Sequence, residues 1–272
     1  MTVIRSRDNP RVRRWAKLAT DSRFRKNEER VLIEGPHLVT EALQAGLELE
    51  TVIVSETGLE RPEVQALIGK REPVVLADRI FGIVAEAETP PGIAAEIEVP
   101  QKGTDKTKSA VFLEGIQDPG NVGAILRSAA AFGIGEVVLD RACADAWSPK
   151  VLRAAMGAHF KLAVRYTAEL EKALADFAGT TACTVANGGL PLDELGSQGR
   201  LGWIFGAEGK GVSDTLARRA AMKVSIAMAP GTESINVAAA AAICLYAAYS
   251  KTETQTPRSL SARSPLVRGA GQ

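Results

Sequence analysis

Short apolar segments alternate with helix-forming segments over residues 110–250, and this alternation restricts the fold more than any other feature of the chain. Strands that alternate with helices form a mostly parallel sheet covered on both faces, since each crossover helix packs back onto the sheet. Ligand sites in such sheets lie at the carboxyl ends of the strands. The predicted strands cover residues 110–114, 136–140, 181–186, 202–205 and 223–227. The predicted helices cover residues 122–132, 149–157, 169–178, 213–220 and 235–250.

Composition divides the whole chain into five segments. A smaller α/β pattern precedes a polar, charged stretch that contains Gly and Pro, and the last residues are rich in Ser, Thr, Pro and Gly. The predicted organisation is a basic N-terminal arm (1–30), a small α/β domain (31–100), a linker (101–109), a second α/β domain (110–250) and a disordered tail (251–272).

Charge is distributed unevenly along the chain. The formal net charge is +1, yet the first thirty residues hold ten Lys and Arg against four acidic residues. This basic segment either binds a polyanion or forms a solvated helix face. Trp15 and Phe24 lie among these cations, where they could stack on bases or pin the arm to the body.

Several protein classes are excluded by composition. The 272 residues contain no apolar run of the roughly 18 residues that a membrane span needs. The first residues lack the apolar core of a secretory signal, and three scattered cysteines fit neither a disulfide framework nor a zinc site. We therefore expect a cytoplasmic globular protein without membrane association or metal.

Three segments with chemistry-bearing residues follow predicted strands. They are 118–127 (DPGNVGAILR), 205–212 (FGAEGKGV) and 226–237 (IAMAPGTESINV). The second segment is neither a Walker A loop nor a dinucleotide fingerprint, because its glycine spacing differs from both. Taken singly, each segment has a structural interpretation: a helix capped by Asn121 with a surface Arg127, a glycine turn around Glu208, and a helix capped by Ser234 or Asn236.

Taken together, in this order and spacing, the three segments resemble the motifs of the SpoU/TrmH-type family of RNA 2′-O-ribose methyltransferases, within the SPOUT class. The matching patterns are Asn121-x-Gly123-x-x-x-Arg127, Gly206-x-Glu208-Gly209-x-Gly211 and Ser234-Ile235-Asn236-Val237. The resemblance covers about residues 110–250. Ile235 stands where the family more often has Leu, a volume-conserving change.

This resemblance implies a fold and a reaction. The fold is a small N-terminal RNA-binding α/β domain followed by a trefoil-knotted α/β methyltransferase domain that works as a homodimer. The reaction moves a methyl group from S-adenosyl-L-methionine to a ribose 2′-hydroxyl of RNA. The residues implied in catalysis are Arg127, Asn121, Glu208, Ser234 and Asn236. Those implied in cofactor binding are Gly206, Gly211, Ile226, Met228 and Ile235.

Within this interpretation, Arg127 either acts as a base or stabilises developing charge. Guanidinium groups stay protonated in proteins, so we favour binding of the adjacent phosphate and stabilisation of the forming alkoxide. The favoured substrate is 23S rRNA. The alternatives are a tRNA ribose 2′-O-methyltransferase and a catalytically silent RNA-binding protein of the same fold.

Two further classes fit the sequence less well. A dinucleotide-dependent oxidoreductase lacks its fingerprint. A hydrolase lacks a nucleophile motif, since the only histidines are His37 and His159 and no Ser or Cys lies in a nucleophile elbow. We expect both histidines to serve local packing or capping.

Overall fold

The computed structural model describes residues 2–85 and 89–253, and these contain two sheets. The predicted disordered tail lies outside the described residues except for its first three positions, which continue the last helix. No helix in the described part of the chain is both long and apolar enough to cross a bilayer.

The first sheet has four strands in the order β1-β4-β2-β3. The central strand β4 runs antiparallel to β1 and β2, whereas β2 and β3 are parallel. The strands are β1 (Arg30–Glu34), β2 (Thr51–Ser55), β3 (Val74–Leu76) and β4 (Ile93–Glu98). The helices are α1 (Pro10–Thr20), α2 (Ser22–Glu28), α3 (Pro36–Gln44), α4 (Glu56–Leu59), α5 (Pro62–Ile68) and α6 (Asp78–Val84).

Helix α1 is part of this first unit's core. Val12, Trp15 and Leu18 recur on one face of the helix and are buried against the sheet and α6. The Trp15 ring is 2% exposed, and its Nε1–H donates to Glu96 Oε2 at 2.8 Å. Trp15 therefore pins the basic segment to the body, the second of the two roles that the sequence left open. The predicted segment boundaries stay a prediction.

The second sheet has seven strands in the order β7-β6-β5-β10-β8-β11-β9, and every neighbouring pair is parallel. The predicted α/β class with a mostly parallel sheet is confirmed. The strands are β5 (Ala110–Glu114), β6 (Glu136–Leu139), β7 (Ala163–Tyr166), β8 (Thr180–Thr184), β9 (Leu190–Pro191), β10 (Leu201–Gly206) and β11 (Met222–Ser225). The helices are α7 (Pro119–Ala131), α8 (Pro149–Ala155), α9 (Leu170–Ala175), α10 (Asp214–Arg219) and α11 (Val237–Glu253).

Two strands of this sheet were not predicted. Both β7 and β9 are edge strands, so half or more of their residues remain partly or fully exposed and the apolar run typical of a central parallel strand is missing. Strand β9 has two residues, one of them Pro191, which cannot donate to a ladder.

Two charged contacts join the unit built on the first sheet to the unit built on the second. The Arg25 guanidinium is buried, donates to Asp145 Oδ2 at 2.6 Å, and also donates to the carbonyls of Leu18 and Ala19. Nearby, Arg153 of α8 lies 3.5 Å from Glu34 at the end of β1. The buried apolar core is continuous across the same boundary. The first sheet is thus fixed against helix α8, which in turn packs on α7.

Candidate active site

The candidate site lies at the carboxyl edge of the seven-stranded sheet. Strands β5 and β10 are neighbours there, with Glu114 in register with Gly206. Residues 206–212, which we call the glycine turn, continue directly from β10. Residues 226–236 continue from β11 and lead into α11. The second and third motifs therefore emerge from the same edge, as parallel-sheet geometry requires.

Helix α7 places the first motif. Asp118 Oδ1 accepts the backbone N–H of Asn121 at 2.8 Å, and Pro119 occupies the first turn. The expectation that Asn121 caps this helix is therefore wrong: Asp118 is the cap, and the helix begins three residues earlier than predicted. Because Asp118 supplies the capping oxygen, the Asn121 side chain is available for other contacts.

Gly123 permits a close approach of α7 to α8. A Cβ atom at this position would lie 2.4 Å from the Ala154 Cβ and 2.9 Å from the Val151 carbonyl oxygen. Any side chain would push the two helices apart and displace Asn121, which lies half a turn away. The glycine of the first motif thus sets the position of α7.

The glycine turn folds back on its own strand. A Cβ atom on Gly206 would lie 2.0 Å from the Gly211 carbonyl oxygen. Gly209 and Gly211 have φ values of 78° and 66°, in the left-handed region that favours glycine. The Gly211 N–H donates to the Ala207 carbonyl at 2.8 Å and closes the turn. Glu208 is exposed on this turn.

Three polar side chains from the three motifs meet in one amide–carboxylate cluster: Asn121, Glu208 and Asn236. Asn121 Nδ2 donates to Glu208 Oε1 at 2.6 Å. Asn236 Nδ2 donates to Asn121 Oδ1 at 2.9 Å and to Glu208 Oε1 at 3.0 Å. Asn236 Oδ1 accepts the N–H groups of Ala238 and Ala239 at the start of α11, which fixes the amide's orientation. Asn236 is therefore both a helix cap and a site residue.

Arg127 and Ser234 do not join this cluster. Arg127 is exposed on α7, and Ser234 is exposed two residues before Asn236. Neither side chain forms a hydrogen bond or ion pair within residues 2–85 and 89–253. Both remain free to contact a ligand.

The residues implied in cofactor binding line two neighbouring segments. Gly206 and Gly211 belong to the glycine turn. Ile226 and Met228 are half-buried after β11, and Ile235 is 36% exposed. The backbone N–H and C=O groups of Ile226 and Met228 have no hydrogen-bond partner in the described part of the chain. Free backbone donors and acceptors beside a crowded glycine turn fit a ligand with a heterocyclic, hydrogen-bonding edge.

The cysteines and histidines lie outside this site. Burial raises the pKa of Cys143 and of Cys244 to about 12, so these thiols stay protonated. His159 is buried, with its Nε2 2.6 Å from the Ala146 carbonyl oxygen. Among the described residues, no group of three His, Cys, Asp or Glu is arranged to hold a metal ion.

Two residues that shape the site, Asp118 and Glu114, were not predicted from the sequence. Asp118 caps α7, and its signal was present in the Asp-Pro-Gly order, which is typical of an N-cap followed by proline at the first helical position. Glu114 accepts the N–H of Ser213 after the glycine turn. That contact joins residues 99 positions apart, and no local pattern indicates it.

Comparison with known families assigns both sheets. Residues 108–246 match the SpoU rRNA methylase family. Residues 9–95 match the MRM3-like substrate binding domain. The first of these matches spans about half of the chain and contains all three motifs.

Individual relatives agree with these matches. The 23S rRNA (guanosine(2553)-2′-O)-methyltransferase RlmP of Bacillus subtilis is 33% identical over 253 residues, which cover 90% of this chain and 98% of the relative. A crystal structure of an RNA 2′-O ribose methyltransferase is 28% identical, with a TM-score of 0.79 over 93% of this chain and 100% of the other. The SpoU methyltransferase AviRb of Streptomyces viridochromogenes, solved with AdoMet, has a TM-score of 0.81 over 90% of this chain and 99% of that one. Its 23% identity supports the fold alone.

The three motifs that meet in the amide–carboxylate cluster all lie within the matched residues 108–246. The chain belongs to the SpoU rRNA methylase family.

Proposed function

We propose that the protein transfers a methyl group from S-adenosyl-L-methionine to a ribose 2′-hydroxyl of 23S rRNA. The observation that carries this proposal is the meeting of Asn121, Glu208 and Asn236, whose segments are far apart in the chain, beside the glycine turn. The 23S rRNA methyltransferase from Bacillus subtilis, related over nearly its whole length, supports this substrate class.

Backbone groups of the glycine turn and of the segment after β11 are suited to hold the cofactor. Gly206 and Gly211 form a turn with no room for a Cβ at Gly206, and the backbone of Ile226 and Met228 offers free donors and acceptors. These groups would hold the cofactor's adenine and ribose, with Ile235 against its apolar parts. When bound, S-adenosyl-L-methionine supplies a methyl group on a sulfonium sulfur, which is already activated for transfer.

The chain's own residues manage the acceptor oxygen. A ribose hydroxyl becomes a good nucleophile as its proton passes to solvent water, so the site must stabilise negative charge on that oxygen while the bond to the methyl group forms and the methyl–sulfur bond breaks. The exposed Arg127 guanidinium binds the adjacent phosphate and stabilises the developing alkoxide. Asn121, Glu208, Ser234 and Asn236 orient the ribose and keep the attack in line.

Half of the cations in the basic segment have no carboxylate partner within the described residues, and we propose that these bind RNA phosphates. Five of its ten cations are engaged by carboxylates, namely Arg5, Arg13, Arg14, Arg25 and Arg30. The other five form no ion pair within the described residues, namely Arg7, Arg11, Lys17, Arg23 and Lys26. All five of these are exposed and lie within or beside the substrate binding domain match. They are the phosphate contacts that we propose for the substrate.

The proposed assembly is a homodimer through α11. Ile243, Tyr246 and Tyr249 are exposed by 42%, 59% and 40%, and the two tyrosine rings pack on Phe132 after α7. An apolar helix face of this kind fits an interface between two copies. Analytical ultracentrifugation tests it: the wild type should sediment as a dimer and Tyr246→Glu as a monomer. A monomeric wild type would exclude this assembly.

A methyl-transfer assay tests the function. Purified protein is incubated with tritiated S-adenosyl-L-methionine and either unmodified 23S rRNA or bulk tRNA, and the labelled nucleotide is identified after digestion. Label on a ribose 2′-oxygen of 23S rRNA supports the proposal. Label in tRNA alone selects the tRNA alternative, and absence of label from both RNAs selects a catalytically silent RNA-binding protein.

A further inference from the structure

Glu114 links strand β5 to the far end of the glycine turn. It is half-buried at the end of the strand, and its Oε2 accepts the backbone N–H of Ser213 at 2.8 Å. Ser213 directly precedes α10, and its own hydroxyl caps that helix through the N–H of Leu216. The Glu114 carboxylate therefore holds the chain at the point where the turn ends.

The glycine turn is held at two points. At its start, Gly206 lies in the ladder with β5, and just beyond its end Ser213 is bound by Glu114. Between these points, Gly209 and Gly211 adopt positive φ values. A glycine-rich segment loses more conformational entropy on ordering than others do, so its geometry depends on how its ends are fixed. Glu114 lies opposite Gly206 in the ladder and also binds Ser213, so one residue of β5 lies beside both ends of the turn.

We propose that Glu114 is a positioning residue for methyl transfer. Its bond to Ser213 keeps the glycine turn in the shape that brings Glu208 to Asn121 and Asn236 and that presents the backbone of the turn to the methyl donor. The kinetic part of this inference rests on the proposed function. The part that concerns the turn's order does not.

A purely structural role would have a different signature. If Glu114 served only to cap α10, its loss would loosen residues 214–219 and lower the thermal stability, with the turn and the methyl-donor affinity unaffected. A positioning role predicts instead that residues 207–213 lose protection and that the KM for the methyl donor rises.

Three variants separate these roles. Glu114→Ala removes the acceptor, and Glu114→Gln keeps an acceptor oxygen without the charge. Asp78→Ala is the matched control, because the Asp78 carboxylate accepts the N–H of Thr57 at 3.1 Å in the first sheet's unit, away from the site. Hydrogen exchange of the full-length protein, melting temperature, and KM and kcat for S-adenosyl-L-methionine are measured for each.

For Glu114→Ala we expect amide exchange in residues 207–213 and the KM for S-adenosyl-L-methionine both to rise by about tenfold or more, the usual effect of losing a hydrogen bond to a charged group. Glu114→Gln should recover most of both effects, and Asp78→Ala should change neither. An unchanged KM in Glu114→Ala, or exchange that accelerates in α10 alone, would overturn the inference. A wild-type protein that methylates no RNA would overturn the proposed function, while the exchange comparison would still decide the role of Glu114.

Discussion

Glu96 in the first sheet and Asp145 at the boundary between the two units bind arginines, whereas the carboxylate of the amide–carboxylate cluster binds amides. Glu96 is almost fully buried and accepts from Arg14 and from Trp15, and Asp145 binds the buried Arg25 at the boundary. In contrast, Glu208 accepts from Asn121 and Asn236, and Arg127 on the same helix as Asn121 stays unpaired within the described residues.

This difference separates two uses of charge. A buried ion pair fixes the backbone firmly, but each partner neutralises the other and neither remains available to a ligand. An amide orients a carboxylate through hydrogen bonds without neutralising it, so no arginine is consumed. The site therefore keeps one arginine, Arg127, free to bind a phosphate or an alkoxide. We call a cation committed when a carboxylate of the protein already binds it, as for the arginines that hold the fold, and uncommitted when none does.

Loss of Arg25 tests the committed side and is expected to have the largest effect. Arg25→Ala removes the only cation that pairs with the Asp145 carboxylate in the described residues, and it also removes a side-chain donor from the carbonyls of Leu18 and Ala19. The Asp145 charge would then keep only the Trp147 N–H and the Tyr166 hydroxyl, so the free energy of unfolding should fall by about 4 kcal/mol. Urea denaturation measures this change. The control is Arg5→Ala, whose exposed pair with Glu56 should be worth less than about 1 kcal/mol. Equal losses in the two variants would contradict the distinction.

Loss of Arg127 tests the uncommitted side. Arg127→Ala should lower kcat by about 10²- to 10³-fold, roughly 3 kcal/mol of transition-state stabilisation, since the developing oxyanion loses its charged donor. The affinity for S-adenosyl-L-methionine, measured by calorimetry, should stay unchanged. Arg165→Ala is the control, because Arg165 is already paired with Glu136. A variant at Arg127 with wild-type turnover would refute the assigned role.

Acidification should lower the free energy of unfolding through the buried His159. Burial lowers the pKa of His159 to about 4, whereas an unfolded histidine has a pKa of about 6.5. The unfolded chain therefore binds the proton more readily than the folded protein does. The free energy of unfolding should decline as the pH falls from about 6.5 towards 4, by up to about 1.4 kcal/mol per unit.

Urea titrations at several pH values measure this slope. His159→Gln should flatten it, and His37→Gln, which alters an exposed ring, should leave it unchanged. A slope that persists in His159→Gln would assign the acid sensitivity to other groups.

The smallest expected effect is a change in the salt dependence of RNA binding. Neutralising the exposed Arg7 and Arg23 to Gln should reduce the slope of log K against log salt by about 0.7 for each lost phosphate contact with single-stranded RNA. The matched control neutralises Arg5 and Arg30, which are already paired. If both double variants change the slope equally, the division of the basic segment into committed and uncommitted cations fails.

Much of this organisation was readable from the sequence, because it depends on local patterns. The strands of the central parallel sheet are continuous apolar runs, and the three motifs follow strands whose carboxyl ends share one edge. The contacts between distant segments were not readable. The burial of Trp15 against Glu96, the pairing of Arg25 with Asp145 and the bond from Ser213 to Glu114 each join residues about 80 to 120 positions apart. Residue type alone made Asn121 a candidate for the helix cap. Asp118, three residues earlier in the chain, takes that role instead, and the sequence does not decide between them.

The burial of Trp15 decides how the RNA-binding surface can be dissected. Deleting the first thirty residues would strip a tryptophan and the α1 face from the first sheet, and it would also break the bridge that Ile4 makes with Leu76. A truncated protein would lose RNA affinity through collapse of this unit, whatever its phosphate contacts. Charge in this segment has to be removed one side chain at a time, with the scaffold left intact.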